Sequence, residues 1–230
     1  MIVNPPTFIF VIEKIAKQYH SHTLSIEVDE VGETVAASSI NSSTESSSMN
    51  TSTATSQEQQ FLEEVLPKFV QWIDYIERTQ KSDLENGYKW YGRTEKHCLA
   101  SGLDDTPRHS IVSSKESQVD LVSWLAYTYH SISILEKQLH GETSLYQRCS
   151  KLSEKLRKEI IEKYWDEEKH CFGDLGLVKK MEGKVEVGFE THPSYISILP
   201  FILMLIDEND PKISFILDLI EDPNKVFLII

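Results

Sequence analysis

The sequence predicts a mainly α-helical protein with one short β-hairpin, and three observations support this class. Several long stretches carry apolar side chains at spacings of three and four, which is the period of one helix face. Strands and helices do not alternate, and no glycine-rich phosphate loop occurs, which argues against a parallel α/β fold. One segment, residues 170–189, is typical of two strands joined by a turn, here at Glu182 and Gly183.

The first predicted helix spans residues 4–20, where Phe8, Ile12 and Ile15 recur at helical spacing after two prolines. The segment that follows has a different composition. Residues 36–56 are dominated by serine and threonine and contain no aromatic side chain. Such a composition buries too little apolar surface to order a chain, so we expect a disordered insertion at 36–56.

Helical periodicity returns at about Ser56, where Ser56 and Gln59 match the pattern of a capping box. Pro67 lies within this predicted helix and lacks a backbone donor, so the sequence predicts either a kink or a later start. The predicted apolar face of this helix consists of Phe61, Leu62, Val65, Leu66, Phe69, Ile73 and Ile76.

Four further helices are predicted at residues 117–139, 143–164, 194–206 and 211–221. The first two are long, and each has apolar residues along one side. These are Leu121, Leu125, Tyr129 and Ile132 in the first, and Leu145, Cys149, Leu152, Leu156 and Ile160 in the second.

Charge and composition exclude some classes of function. The 230 residues carry a net charge of −13, and a nucleic acid or an anionic membrane would instead require a basic face. No apolar stretch reaches the roughly 18–20 residues that span a bilayer, and we find no secretory signal. The three cysteines are interpreted as packing residues, although one disulfide between two of them stays open. Asn41 and Asn50 lie in N-glycosylation sequons, which can be glycosylated only if the protein is secreted.

The segment richest in residues that can bind a ligand or transfer a proton is the predicted loop 84–110, between two long helices. Two interpretations fit it. Aromatic rings beside carboxylates and arginines suit a sugar, because rings stack on pyranose faces while acids bind hydroxyls and move protons. A polar surface turn at Asp-Asp-Thr-Pro explains the same composition through backbone preferences alone. The loop concentrates Tyr88, Trp90, Tyr91, Arg93, His97, Asp104, Asp105, Arg108 and His109.

Three motifs in order resemble the processing α-glucosidases of glycoside hydrolase family 63, the mannosyl-oligosaccharide glucosidases. They are YKWYGR at 88–93, SGLDDTPR at 101–108 and VDLVSW at 119–124. Two downstream segments, 189–207 and 216–223, also resemble the family. The resemblance covers nearly the whole chain except the serine- and threonine-rich insertion.

This resemblance implies an (α/α)6 toroid, with residues 1–230 forming part of its catalytic domain and the insertion at 36–56 interrupting it. It implies inverting hydrolysis that removes the terminal α-1,2-linked glucose from the N-glycan precursor in the endoplasmic reticulum. The implied partner is a glucosylated high-mannose N-linked oligosaccharide, with no nucleic acid and no membrane span in this sequence. No metal or other cofactor is implied.

The resemblance also assigns roles to individual acids. Asp104, the first aspartate of the pair, is the expected general acid, which protonates the departing glycosidic oxygen. Asp105 resembles a carboxylate that binds substrate or supports the acid. Asp120 matches a residue near the family's pocket.

Four further residues are expected at the substrate site. Trp90 is the expected stacking platform for a sugar ring. Arg93 and Arg108 are expected to bind sugar hydroxyls or to hold the acids in place, and a structural ion pair within its own loop is the alternative for Arg108. Trp124 matches a residue near the family's pocket.

The second half of the acid–base pair has no match in this sequence. The family's base is a glutamate in a later segment, and neither Glu186 nor Glu190 lies in that motif. We therefore expect this sequence to be inactive or nearly so alone. Two other functions stay open: a non-catalytic glycan-binding or interaction protein, and a trehalase-like toroidal hydrolase, against which the paired aspartates before Pro-Arg argue.

Overall fold

The computed structural model describes residues 5–17, 45–104, 106–181 and 183–222. Within these residues the chain is mainly helical with two small antiparallel hairpins, which confirms the predicted class. None of the helices described is long and apolar enough to cross a bilayer. The elements in chain order are α1 (9–17), α2 (Glu45–Thr79), a 3-10 turn (Leu99–Ser101), α3 (Val119–His140), α4 (Ser144–Lys163), β1 (Trp165–Asp166), β2 (Cys171–Phe172), β3 (Leu175–Lys179), β4 (Val185–Phe189), α5 (Tyr195–Ile202) and α6 (Lys212–Glu221).

Helix α3 is the centre of the packing. Of its 22 residues, 16 are buried, so protein surrounds it rather than covering one stripe. It packs against α2, α4 and α5. Its N-terminal end therefore lies inside the molecule, and its first turn needs partners from neighbouring segments.

Helix α4 is amphipathic and closes on α3 through a short connection. Gly141 ends α3 with a left-handed φ of 81°, and the side chain of Thr143 caps α4 by accepting a hydrogen bond from the Tyr146 amide. Buried residues then recur at helical spacing along α4, at Cys149, Ser153, Leu156, Glu159 and Ile160. Both helices begin and end within two residues of their predicted bounds.

The predicted hairpin forms, but with different bounds. Strands β3 and β4 pair in antiparallel register, with Leu175 opposite Phe189 and Lys179 opposite Val185. Residues 171–172 belong to a separate small hairpin with β1. The three cysteines, all in the described part of the chain, are buried and free, which excludes a disulfide between them.

The region around α2 differs from the prediction. The helix begins at Glu45, so residues 45–56 are helical, and Ser56 lies inside the helix instead of capping it. The helix continues through Pro67, so the later start is wrong. Phe61, predicted on the buried face, is 42% exposed.

Helix α1 buries Ile12 as predicted, but the neighbours of Ile12 on the buried face differ from the predicted Phe8 and Ile15. Ile9, Ile12 and Ala16 are buried, whereas Phe8 is 78% exposed. The part of the predicted insertion before residue 45, the sequon at Asn41, and Asp105 and Glu182 lie outside the described residues.

Candidate active site

A cleft of about 590 Å³ opens where the 84–110 loop meets α3 and α5. Asp104 is exposed and lines it. Among the described residues that line this cleft, Asp104 is the one carboxylate. Among the described residues, the one carboxyl group that the cleft offers for proton transfer belongs to the residue predicted as the acid.

A tight turn holds Asp104 at the cleft. Gly102 ends the 3-10 turn with a left-handed φ of 72°. The Ser101 hydroxyl donates to the carbonyl of Cys98 at 2.7 Å and accepts from the Leu103 amide at 3.0 Å. The Cys98 amide then donates to the carbonyl of Asp104 at 3.2 Å. These contacts fix the backbone of the acid while leaving its carboxylate in solvent.

Two aromatic side chains line the same cleft. Trp124, on α3, is 7% exposed, and its ring meets Phe10 edge to face with centroids 5.7 Å apart. Tyr195, the first residue of α5, is 47% exposed and offers far more ring surface. Sequence reasoning missed Tyr195, although an aromatic residue near a predicted helix start, within the family-like segment 189–207, was a usable signal.

Trp90 does not face the cleft. Its ring is 1% exposed, and the indole N–H donates to Oδ2 of Asp120 at 3.0 Å. A ring enclosed by protein has no face to offer a sugar, so the expected stacking platform is not available in this arrangement. Trp90 instead helps to hold Asp120.

Arg108 is shared by two buried carboxylates. Its terminal nitrogens contact both oxygens of Asp120, at 3.1 and 2.7 Å, and Oδ2 of Asp174 at 2.9 Å. Burial raises the pKa of the Asp174 carboxyl and the Asp120 charge raises it further, while the Arg108 charge opposes both. Arg108 thus pairs outside its own loop, and it does not reach into the cleft.

Arg93 also acts inside the protein. Its guanidinium pairs with Glu116 at 2.6 Å and donates to the carbonyls of Thr94 and His109 at 2.8 and 2.9 Å. Both members of this ion pair are buried. Arg93 therefore links the middle of the loop to its last residues and to Glu116, and it is not among the residues that line the cleft.

The expected residues thus divide into two groups. Asp104 and Trp124 line the cleft, with Tyr195 beside them. Trp90, Arg93, Arg108 and Asp120 form a buried layer behind the loop, joined by Asp174, which sequence reasoning missed. The described residues contain no cluster of three histidine, cysteine or acidic side chains that could hold a metal.

Comparison with known sequences agrees with the motifs. The chain is 32% identical to a probable mannosyl-oligosaccharide glucosidase of Schizosaccharomyces pombe over 73% of its length. It is 33% identical to a mannosyl-oligosaccharide glucosidase of Saccharomyces cerevisiae over 61% of its length, and 25% identical to an alpha-glucosidase 2 of Arabidopsis thaliana over 73%.

These alignments cover 21%, 16% and 25% of the three relatives, so the chain spans about a fifth of their length. Residues 1–228 match the family described as the glycosyl hydrolase family 63 C-terminal domain, which is almost the whole chain. A cleft lined by the Asp104 carboxylate and two aromatic side chains is compatible with a sugar-binding site. The chain therefore belongs to glycosyl hydrolase family 63.

Proposed function

We propose that this chain supplies the acid side of the active site of a glucosidase that removes the terminal α-1,2-linked glucose from an N-glycan precursor. The observation that carries the proposal is the cleft in which the Asp104 carboxylate lies with Trp124 and Tyr195. Membership of family 63 and the similarity to mannosyl-oligosaccharide glucosidases support the substrate class. The corresponding cellular site is the endoplasmic reticulum.

The proposed chemistry is inverting hydrolysis. A protonated Asp104 donates to the glycosidic oxygen as the bond to the departing sugar breaks. A second carboxylate, about 6.5–9.5 Å away, takes a proton from the water that attacks the opposite face of the ring. Tyr195 and Trp124 supply apolar surface for the glucose faces. The second carboxylate has no counterpart among the described cleft residues, so we expect binding with little or no turnover by this chain.

The proposed architecture is part of an (α/α)6 toroid. Two observations support it: the first turn of α3 is buried behind the active-site loop, and the first residue of α5 lines the cleft. In a toroid the loops at one end of the helix ring line the active site. Asp105, beside the acid, is proposed as a supporting or substrate-binding carboxylate.

Binding of three glucose disaccharides tests the substrate class. Kojibiose is α-1,2-linked, maltose is α-1,4-linked and trehalose joins two anomeric carbons. We expect titration calorimetry to give the lowest dissociation constant for kojibiose, because the cleft is proposed to bind the α-1,2 linkage specifically. Tyr195→Ala should weaken binding about tenfold, whereas Tyr91→Ala, at an exposed tyrosine that is not among the residues lining the cleft, should not. A preference for trehalose would support the trehalase-like alternative.

Release of glucose from kojibiose tests the role of Asp104. Loss of a general acid lowers a rate by about 10²–10⁴-fold, so Asp104→Asn should abolish any measurable release while leaving the dissociation constant nearly unchanged. Retained release in Asp104→Asn would overturn the assignment. Equally tight binding of kojibiose, maltose and trehalose, without release of glucose from any of them, would instead favour a non-catalytic glycan-binding role.

A further inference from the structure

Four consecutive residues contact three different parts of the molecule: the end of α4, the start of α3 and the active-site loop. They are Gly173 and Asp174, which connect β2 to β3, and Leu175 and Gly176, the first two residues of β3, and we call them the GDLG segment. Sequence reasoning treated them only as part of a hairpin. Their contacts indicate a more specific role.

The backbone of the GDLG segment is fixed on both sides. The Gly173 amide donates to the carbonyl of Tyr164 at 2.9 Å. Leu175 and Ser117 exchange two backbone hydrogen bonds, at 2.7 and 2.9 Å. Since Ser117 lies two residues before α3 begins, this pairing places the segment against the N-terminal end of the central helix.

Asp174 joins that helix end to the active-site loop. Its Oδ1 accepts a hydrogen bond from the Val119 amide at 2.8 Å, which satisfies a donor in the first turn of α3. Its Oδ2 accepts from Arg108 at 2.9 Å. Arg108 also pairs with Asp120, so two buried carboxyl groups share one guanidinium. Such a cluster is costly to bury, and it is therefore weak support for stability alone.

Gly176 holds the next loop residue by close approach. A Cβ atom at position 176 would lie 2.2 Å from Cδ2 of His109, so the imidazole packs directly on the glycine backbone. The His109 ring is 1% exposed. Beyond it, the amide and hydroxyl of Ser110 both donate to Glu190 at 3.0 Å. Three successive loop residues are therefore held by side chains or backbone outside the loop.

We propose that the GDLG segment is the positioning element of the active-site loop, with Asp174 acting through Arg108 and Gly176 acting through His109 to fix where Asp104 lies. Pro107 lies between the anchored residues and Asp104, and its ring restricts the backbone, so a shift at Arg108 is passed on towards the acid. The proposal rests on the proposed function only in naming Asp104 as the acid.

Amide hydrogen exchange of the full chain tests whether the GDLG segment holds the active-site loop, and it requires no activity assay. In Asp174→Asn we expect the Cys98, Thr106 and Ser110 amides to exchange about tenfold faster, because a charge-assisted anchor of the loop is weakened. Amides in the middle of α4 should exchange as in the unmodified chain. Gly176→Ala should have the same local effect without changing any charge.

Asp166→Asn is the matched control. Asp166 is also buried, but its Oδ1 accepts from the amides of Glu168 and Lys169 in its own turn, at 2.9 and 3.2 Å. Its loss should loosen that turn and leave the loop unchanged. Equal exchange in all three variants, or acceleration that extends over α4, would overturn the positioning role.

Measurements on the unmodified chain cover the case in which a variant fails to fold. If the GDLG segment holds the loop, the Leu175 amide and the loop amides share one opening reaction, with the same dependence on low urea concentrations. Independent opening of the two segments would contradict the proposal. Kojibiose titration separates the positioning role of the GDLG segment from the proposed function. If the loop is loosened in Asp174→Asn but the unmodified chain binds no sugar, the positioning role is supported and the proposed function is contradicted.

Discussion

Arg108 is the residue on which the buried charges of this molecule depend. Its guanidinium is the cation that contacts both Asp120 and Asp174, and all three side chains are buried. Removing one partner from such a cluster leaves uncompensated charge in a medium of low dielectric constant. The same side chain therefore serves the fold and the placement of the loop.

Replacement of Arg108 by leucine should be strongly destabilising. We expect Arg108→Leu to lower the free energy of unfolding by about 3–5 kcal/mol, because two buried carboxylates lose their counter-ion. Urea denaturation followed by circular dichroism measures this change. Arg148→Leu is the control: Arg148 pairs with Asp74 at 3.1 Å, but both side chains are about half exposed, so the loss should stay below about 1 kcal/mol. Similar losses in the two variants would contradict the assignment of Arg108.

At the scale of elements, α2 shows how helix context outweighs local composition. Residues 45–56 contain neither glycine nor proline, and each serine or threonine costs only a few tenths of a kcal/mol in a helix. Extending a helix that is already nucleated is much easier than starting one. The apolar face that begins at Leu62 supplies that nucleus, so the helix extends back to Glu45.

Pro67 is a built-in weakness of α2. It lies on the exposed side of the helix and cannot donate to the carbonyl of Glu63. We expect Pro67→Ala to raise the free energy of unfolding by about 1–2 kcal/mol, since the restored hydrogen bond outweighs the larger entropy of the unfolded chain. Lys68→Ala, at the neighbouring exposed position, should change it little. A loss of stability in Pro67→Ala, measured by urea denaturation, would show that the proline suits a bend needed for packing.

At the scale of the whole molecule, the cleft is assembled from distant parts of the chain. Asp104 comes from the loop, Trp124 from α3 and Tyr195 from α5, and residues before α1 complete the lining. Helix α3 connects these parts because it is buried on all sides. Changes that loosen the core around α3 should therefore also reshape the cleft.

Acid should destabilise the folded chain through His109. Burial lowers the pKa of His109, with the Arg93 charge acting in the same direction and Asp174 and Glu190 against it. The unfolded chain, with a histidine pKa near 6.5, then binds a proton that the folded chain does not. Stability is thus complete above about pH 6.5 and is lost as the pH falls towards the lower folded pKa.

Urea denaturation at pH 7.5 and pH 5.5 measures this linkage. One buried neutral histidine accounts for a loss of up to about 1.4 kcal/mol between these pH values. His109→Asn should reduce the pH dependence by that amount, whereas His97→Asn, at an exposed position, should keep it. An unchanged pH dependence in His109→Asn would mean that other groups cause the acid sensitivity.

Local patterns determined much of this protein. The helical class, the bounds of α3 and α4, and the buried positions Leu121, Leu125 and Ile132 follow from periodicity, because a stripe of apolar residues has few ways to avoid water. The position of Asp104 in a turn follows from the residue types of the loop, and the three ordered motifs identified the family. These features depend on residues close together in sequence.

Only the tertiary structure decided which polar residues face the cleft and which lie behind it. Some residue types suit either the cleft or the buried layer, and the neighbouring sequence does not distinguish the two places. Examples are Trp90, Arg93, Arg108 and Tyr195. The partners that bury three of them come from far away: Asp120 and Asp174 hold Arg108 across separations of 12 and 66 residues. Burial is a property of the packed whole, because the cost of enclosing a charge depends on whether a distant residue neutralises it.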